Sequence, residues 1–188
     1  MGRKKSMGHK KKIPDRWLDY YPLKEAIYDA RIIPIKCPLP SNLFTRSNMR
    51  RYCWTPEDVM HAIPNLGLII DITNKHPAYY DPNEFISNGI DYVKIPCVGH
   101  VIPDSKVFRR LREVISLFLM RNNTNDRIIA LHCTHGVNRT GYLICRYLIQ
   151  QLGYSPDEAL QNFALQRGYP IERANYIENL YNFLPAAV

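Results

Sequence analysis

The chain reads as one α/β domain, a central, mostly parallel, twisted sheet with helices on both faces. Three observations predict it. Short apolar runs alternate with segments of helical periodicity, the order expected when helices join parallel strands. One such run, residues 66–72, is nearly all apolar, as in a strand covered on both faces. A length of 188 residues with 46% apolar content suits a single core and leaves no room for a second domain.

Residues 1–12 hold Arg3, Lys4, Lys5, Lys10, Lys11 and Lys12 with no acid, and so carry most of the net charge of +8. They are predicted to form a disordered basic tail ahead of a domain over 13–188. Such a run serves nucleic-acid contact, nuclear import or an anionic membrane surface, or is a plain solvated arm. Met1-Gly2 with Ser6 also fits the short myristoylation pattern. Residues 32–35 form the first strand, and 38–49 an irregular loop. Thr55-Pro56-Glu57-Asp58 opens a short helix with a capping hydroxyl and a proline at its first position. Residues 66–72 and 92–95 are the next strands. A helix over 105–120 places Val107, Phe108, Leu111, Val114, Ile115, Phe118 and Leu119 on one stripe that packs on the sheet. Residues 128–131 form a buried strand, followed by a helix over 140–151. Ser155-Pro156-Asp157-Glu158 is a capping-box start for a helix carrying Ala159, Leu160, Phe163 and Ala164. A last helix covers 172–183. In this class the ligand site lies at the carboxyl ends of the strands.

No run approaches the roughly 18 apolar residues of a membrane span, and no secretory signal is visible. Five cysteines without a framework spacing suit a reducing compartment, so an intracellular, monomeric protein is expected. Cys37, Cys53, Cys97 and Cys145 read as core or surface thiols. No CxxC or Cys/His pairing points to zinc, and the chemistry calls for neither metal nor cofactor.

That chemistry lies in the string His132-Cys133-Thr134-His135-Gly136-Val137-Asn138-Arg139-Thr140, where a cysteine and an arginine five residues apart join a buried strand to a helix. N–H groups left unpaired at the helix start, backed by the helix dipole, surround an anion. Thr134, His135, Gly136, Val137, Asn138 and Thr140 are thus expected to bind substrate. The same field lowers the pKa of Cys133 towards a thiolate. Cys133 is the expected nucleophile, forming a cysteinyl-phosphate that water later hydrolyses. Arg139 grips two phosphate oxygens with its planar fork. Thr140 either hydrogen-bonds the sulfur or caps the helix.

Alkyl and aryl phosphates need a general acid, because an alkoxide or phenolate leaves poorly without a proton. After the third strand the chain reads Pro96-Cys97-Val98-Gly99-His100-Val101-Ile102-Pro103-Asp104, with no acid near its start. Asp104 looks like a helix cap, and Asp71, at a strand end, is either an acid or a carboxylate that orders a loop. A phosphoanhydride makes less demand, since its leaving group is itself a stable phosphate anion. The pattern therefore leans towards anhydride substrates.

The string from His132 to Tyr142 resembles the RNA 5′-triphosphatase branch of the cysteine-dependent, atypical dual-specificity phosphatases. The likeness extends through Pro14-Asp15-Arg16-Trp17, Ile70-Asp71-Ile72-Thr73-Asn74 with Tyr79-Tyr80, Val98-Gly99-His100, Arg167-Gly168, and Ile171-Glu172-Arg173 with Asn175-Tyr176. It implies removal of γ and β phosphates from triphosphorylated or diphosphorylated RNA; no DNA partner is expected, and residence is expected to be nuclear rather than cytoplasmic. It also implies that Arg173 and Arg167 meet phosphates beyond the one attacked. Surface salt bridges with Glu172 or Glu178 are the plain alternative for these arginines. Lys75-His76-Pro77-Ala78 departs from the shorter linker of relatives. The rival function is a dual-specificity protein phosphatase drawing an acid from Asp71, Asp104 or His100. A phosphoinositide phosphatase fits less well without lysines in the loop, and an RNA-binding adaptor leaves the cysteine and arginine without a purpose.

Overall fold

The computed structural model describes residues 12–184. The basic tail and the myristoylation pattern lie outside the described residues, Lys12 excepted. Strands β1 (Ile32–Pro34), β2 (Leu66–Asp71), β3 (Asp91–Lys94) and β4 (Ile128–His132) form one parallel sheet in the order β1-β4-β2-β3. Helices α1 (Pro56–Ala62), α2 (Asn83–Ile86), α3 (Ser105–Arg121), α4 (Asn138–Leu152), α5 (Pro156–Arg167) and α6 (Ala174–Leu180) complete it.

Side-chain alternation along the two central strands explains their unbroken apolar character. Leu68, Ile70, Ile129 and Leu131 enter a core shared with Phe108, Leu111 and Ile115 of α3, Leu143 and Tyr147 of α4, Phe163 of α5 and Tyr176 of α6. Ile69 and Ala130 point the other way, into a second core with Trp17, Trp54, Val59 and Phe85. Helices therefore cover both faces, as expected. The β2 run is long because both of its faces are dry.

Thr55 and Ser155 form the anticipated capping boxes with Asp58 and Glu158, and Asp104 caps α3. Boundaries move where local bonding decides them. The first strand ends at Pro34, although the Ile35 N–H still donates to Leu131 O at 3.1 Å. Helix α4 starts at Asn138 rather than Thr140, because its first turn is part of the loop. Helix α6 is shorter than 172–183, with Arg173 as its N-cap. The irregular stretch after Pro38 holds 3-10 turns at Ser41–Leu43 and Ser47–Tyr52. The single turn α2 is too short to show a period in sequence. Among the described residues no helix is long and apolar enough to cross a membrane.

Gly141, in the first turn of α4, is a point of close helix packing. A Cβ there would stand 2.7 Å from both Ile171 Cγ1 and Phe163 Cε1, so only hydrogen lets α5 and the following segment close on α4. That closure carries residues 172–173 to the mouth of the loop. Gly141→Ala should lower stability by about 1–3 kcal/mol, the usual cost of overpacking, and urea unfolding will read it. An unchanged midpoint would contradict this packing.

Candidate active site

The 133–139 loop lies at the carboxyl end of β4 and runs into α4. Its path depends on Gly136, which adopts φ +70 and brings its backbone so near β1 that a Cβ would stand 2.1 Å from Ile35 O. Any side chain there would strike main chain, and the conformation is one that L residues avoid. The Cys37 N–H donates to Thr134 O at 3.2 Å from the same neighbouring segment.

Cys133 lies at the floor of the loop and is only 3% exposed. Its sulfur sits among polar groups. Burial pushes the thiol up, but the Arg139 guanidinium, the Thr140 hydroxyl and the N–H groups of Thr140 and His135 outweigh it and bring it below its ordinary value. The other cysteines move the opposite way. Burial raises Cys37 well above its usual value and takes Cys97 to about 11, and Cys53 also reaches about 11. Thr140 is no cap, since Val137 holds that position. Its Oγ1 accepts the Cys133 N–H at 2.8 Å, while its proton serves the sulfur.

Arg139 stretches across the site. Its Nη1 donates to Cys97 O at 2.7 Å and Ile72 O at 3.4 Å, and its Nη2 to Thr134 Oγ1 at 3.3 Å. Carbonyls beyond two strand ends thus hold the guanidinium over the sulfur. Behind the loop, His132 is fully buried, and burial lowers its pKa despite Asp71. Its Nδ1 lies 2.9 Å from Cys133 O and so must donate, leaving Nε2 to accept from Tyr80 Oη at 2.7 Å. One neutral tautomer accounts for both bonds.

The remaining expected residues fall into distinct places. Val137 is buried, the His135 ring meets Asp15 O at 2.7 Å through Nε2, and Asn138 accepts the N–H groups of Glu172 and Arg173. These side chains point away from the sulfur, so the backbone is what 135–138 can offer an anion. Arg173 is thereby held beside the start of α4, and of the two carboxylates offered as its alternative partners Glu172 pairs instead with Arg16 at 3.0 Å. Burial favours a raised Glu172 pKa, yet hydrogen bonds from Arg16, Tyr20 and Asn138 bring it to about 2. This latch is intact at neutral pH and is lost only as pH falls towards that value.

Arg167 requires a correction. It is 0% exposed, and its guanidinium donates to Gly136 O at 3.1 Å, His135 O at 2.9 Å and Tyr21 O at 2.8 Å. It braces the loop from behind and is turned away from open solvent. Asp71 is also 0% exposed and accepts from Lys94 Nζ at 2.8 Å, Tyr92 Oη at 3.0 Å and the Thr73 N–H at 2.7 Å. Burial pushes its carboxyl up, but His132, Lys94 and Thr73 hold it below the usual range. That is the environment of a loop-ordering carboxylate. Asp104 accepts from the Lys106 N–H at 2.7 Å as a cap, and His100 is exposed with φ 71. The bracing carbonyls, the His132–Tyr80 pair and the Glu172 latch had no assigned part in the sequence reading. Carbonyl acceptors have no residue signature, and Arg16 and Glu172 lie 156 positions apart.

A thiol tuned towards its anion, an arginine above it and a loop opening on a helix start together define a cysteine-dependent phosphatase site. The family profile described as dual specificity phosphatase, catalytic domain, matches residues 53–184. The chain is 45% identical over 175 residues to the RNA/RNP complex-1-interacting phosphatase of Rattus norvegicus, covering 91% of this chain and 53% of that protein. It is 36% identical over 167 residues to a tyrosine-protein phosphatase of Autographa californica nuclear polyhedrosis virus, covering 89% and 98%. The crystal structure of Tk-PTP in the active form shares the fold at a TM-score of 0.64 and 14% identity, covering 86% of this chain and 98% of that one. The chain belongs to the dual-specificity phosphatases and is of their atypical type. It spans about half the length of the mammalian relatives it matches.

Iodoacetamide tests the electrostatics, because only the thiolate reacts. The fraction ionised rises with pH through the pKa, so a lowered value makes Cys133 the first cysteine alkylated near neutral pH. Arg139→Met should move that midpoint to higher pH. An unmoved midpoint would show that the guanidinium does not tune the sulfur.

Proposed function

We propose that the protein removes phosphates from the 5′ ends of RNA, with Cys133 as nucleophile and Arg139 as clamp. The thiolate attacks the terminal phosphorus in line, the S–P bond forms as the bridging P–O bond breaks, and the shortened RNA leaves as its phosphate anion. Water then attacks phosphorus, releasing inorganic phosphate and returning the thiolate, with the Thr140 hydroxyl stabilising the departing sulfur. Three N–H donors of Arg139 are engaged with Ile72 O, Cys97 O and Thr134 Oγ1. The Nε–H and second Nη2–H form a side-on edge suited to two equatorial oxygens. Arg173, held by Asn138 at the start of α4, is assigned to the phosphates that follow.

One observation carries the choice of an anhydride over an ester. At the rim above Arg139 stands Gly99, where a Cβ would lie 3.9 Å from the guanidinium carbon, so this position beside the clamp offers no acidic side chain. Asp71 and Asp104 are committed to ordering a loop and capping a helix. A phosphate leaving group tolerates that arrangement, while a serine alkoxide does not. RNA is favoured as the carrier by the basic tail and by the name of the mammalian relatives, RNA/RNP complex-1-interacting phosphatase.

End-labelled triphosphorylated RNA and a phosphotyrosine peptide, offered side by side, decide the substrate class. Release from RNA should exceed release from the peptide at least tenfold, and Cys133→Ser should abolish both. Peptide preference would instead support a protein phosphatase, and turnover surviving in Cys133→Ser would overturn the mechanism.

A further inference from the structure

We infer that a cavity beside the 133–139 loop binds the leading nucleoside of a single-stranded RNA, and the phosphodiester that follows it, while the 5′ phosphates occupy the loop. This rests on the RNA reading above and adds a second site to it. The cavity holds about 510 Å³ and draws its walls from four separated segments. That volume is within the usual range for small-ligand sites.

Its lining has the chemistry of single-strand recognition, aromatic faces interleaved with cations. Tyr20, Tyr21, Tyr52 and Tyr169 line it. Tyr169 stands edge-on to Tyr20 at 5.1 Å and tilted to Tyr21 at 6.2 Å. Tyr21 is 75% exposed, a large aromatic surface that the described residues leave mostly open. Arg51 lies over the Tyr52 ring at 4.8 Å. The one acid in the lining, Asp19, is paired with Arg16 at 3.5 Å. The remaining formal charge, from Lys36 and Arg51, is positive.

Lys36 is the least expected part of this wall. It is 2% exposed, and its ammonium contacts only neutral groups in the bonds that hold it: Tyr20 O at 2.8 Å, Trp17 O at 3.3 Å and the Trp17 ring at 3.5 Å. Burial, with Arg167 nearby, pulls it down to about 8, so it still carries its charge near neutral pH. A buried cation held by dipoles and a π face is costly, and an anionic occupant offsets that cost. A phosphodiester supplies the anion and its base supplies the stacking surface. An acyl chain would use neither.

No residue of the 133–139 loop lines the cavity, and Tyr20 is the link between the two. Tyr20 forms part of its wall and also reaches the loop, with its ring 5.1 Å from His135, while its hydroxyl donates to Glu172 Oε1 at 2.7 Å. His135 is two residues from Cys133. A strand leaving the loop therefore meets these rings within its first nucleotides.

The test replaces two rings without changing charge, Tyr21→Ala with Tyr52→Ala, and compares kcat/KM on a triphosphorylated pentaribonucleotide with kcat/KM on inorganic tripolyphosphate. The RNA-to-tripolyphosphate ratio should fall about tenfold, through KM, as expected for lost base stacking. The pair Tyr21→Phe with Tyr52→Phe should keep the wild-type ratio. A fluorescent pentaribonucleotide lacking 5′ phosphates should bind the alanine pair about tenfold more weakly by anisotropy. An unchanged ratio together with unchanged binding would overturn the cavity's role, as would equal loss in the phenylalanine pair. If wild-type protein hydrolyses neither anhydride, the RNA phosphatase reading fails, and the anisotropy measurement judges the cavity separately.

Discussion

A sulfur anion can persist in a nearly closed pocket only if the pocket's own dipoles and charges replace water, and the structure is organised around that requirement. Arg139, the Thr140 hydroxyl and two backbone N–H groups outweigh the burial of Cys133. Each must be held in turn. Arg139 is fixed by carbonyls beyond β2 and β3, which are in place because those strands pair in parallel with one another and β2 with β4. The loop keeps its curve because Gly136 slides against Ile35 O and because Arg167 gathers two of its carbonyls from behind. The sheet serves the site by aligning these supports.

The supporting shell is rich in buried polar groups, each costly unless satisfied. Asp71 with Lys94, Tyr92 and Thr73 shapes the segment after β2, and His132 spans Cys133 and Tyr80. The carboxylates near the site are therefore spoken for by structure. Gly99 leaves the rim above the guanidinium without a side chain. With those carboxylates committed, bonds between phosphates, whose leaving group needs little protonation, are the proposed target, and an RNA 5′ polyphosphate is the proposed substrate.

Much of this was legible in the residues. The apolar run before Cys133, the five-residue gap to Arg139 and the capping signals at Thr55 and Ser155 each report a local rule that the fold obeys. The unbroken apolar character of the 66–72 run implied two covered faces, and both cores are present. The resemblance that implied a phosphate contact for Arg167 says nothing of its acceptors, which are main-chain carbonyls that any residue could supply. The Glu172 latch escaped because its partners, Arg16, Tyr20 and Asn138, meet only after the chain folds. Thr140 remained divided between two local roles until the start of α4 was located at Asn138.

The central claim is that the loop is already built to hold a pentacoordinate phosphorus between Cys133 and Arg139. A crystal structure with orthovanadate tests it directly. Vanadium should be bonded to Cys133 Sγ, with its equatorial oxygens on loop N–H groups and on the side-on edge of Arg139. Vanadate seated elsewhere, or a guanidinium turned away from its oxygens, would contradict the account.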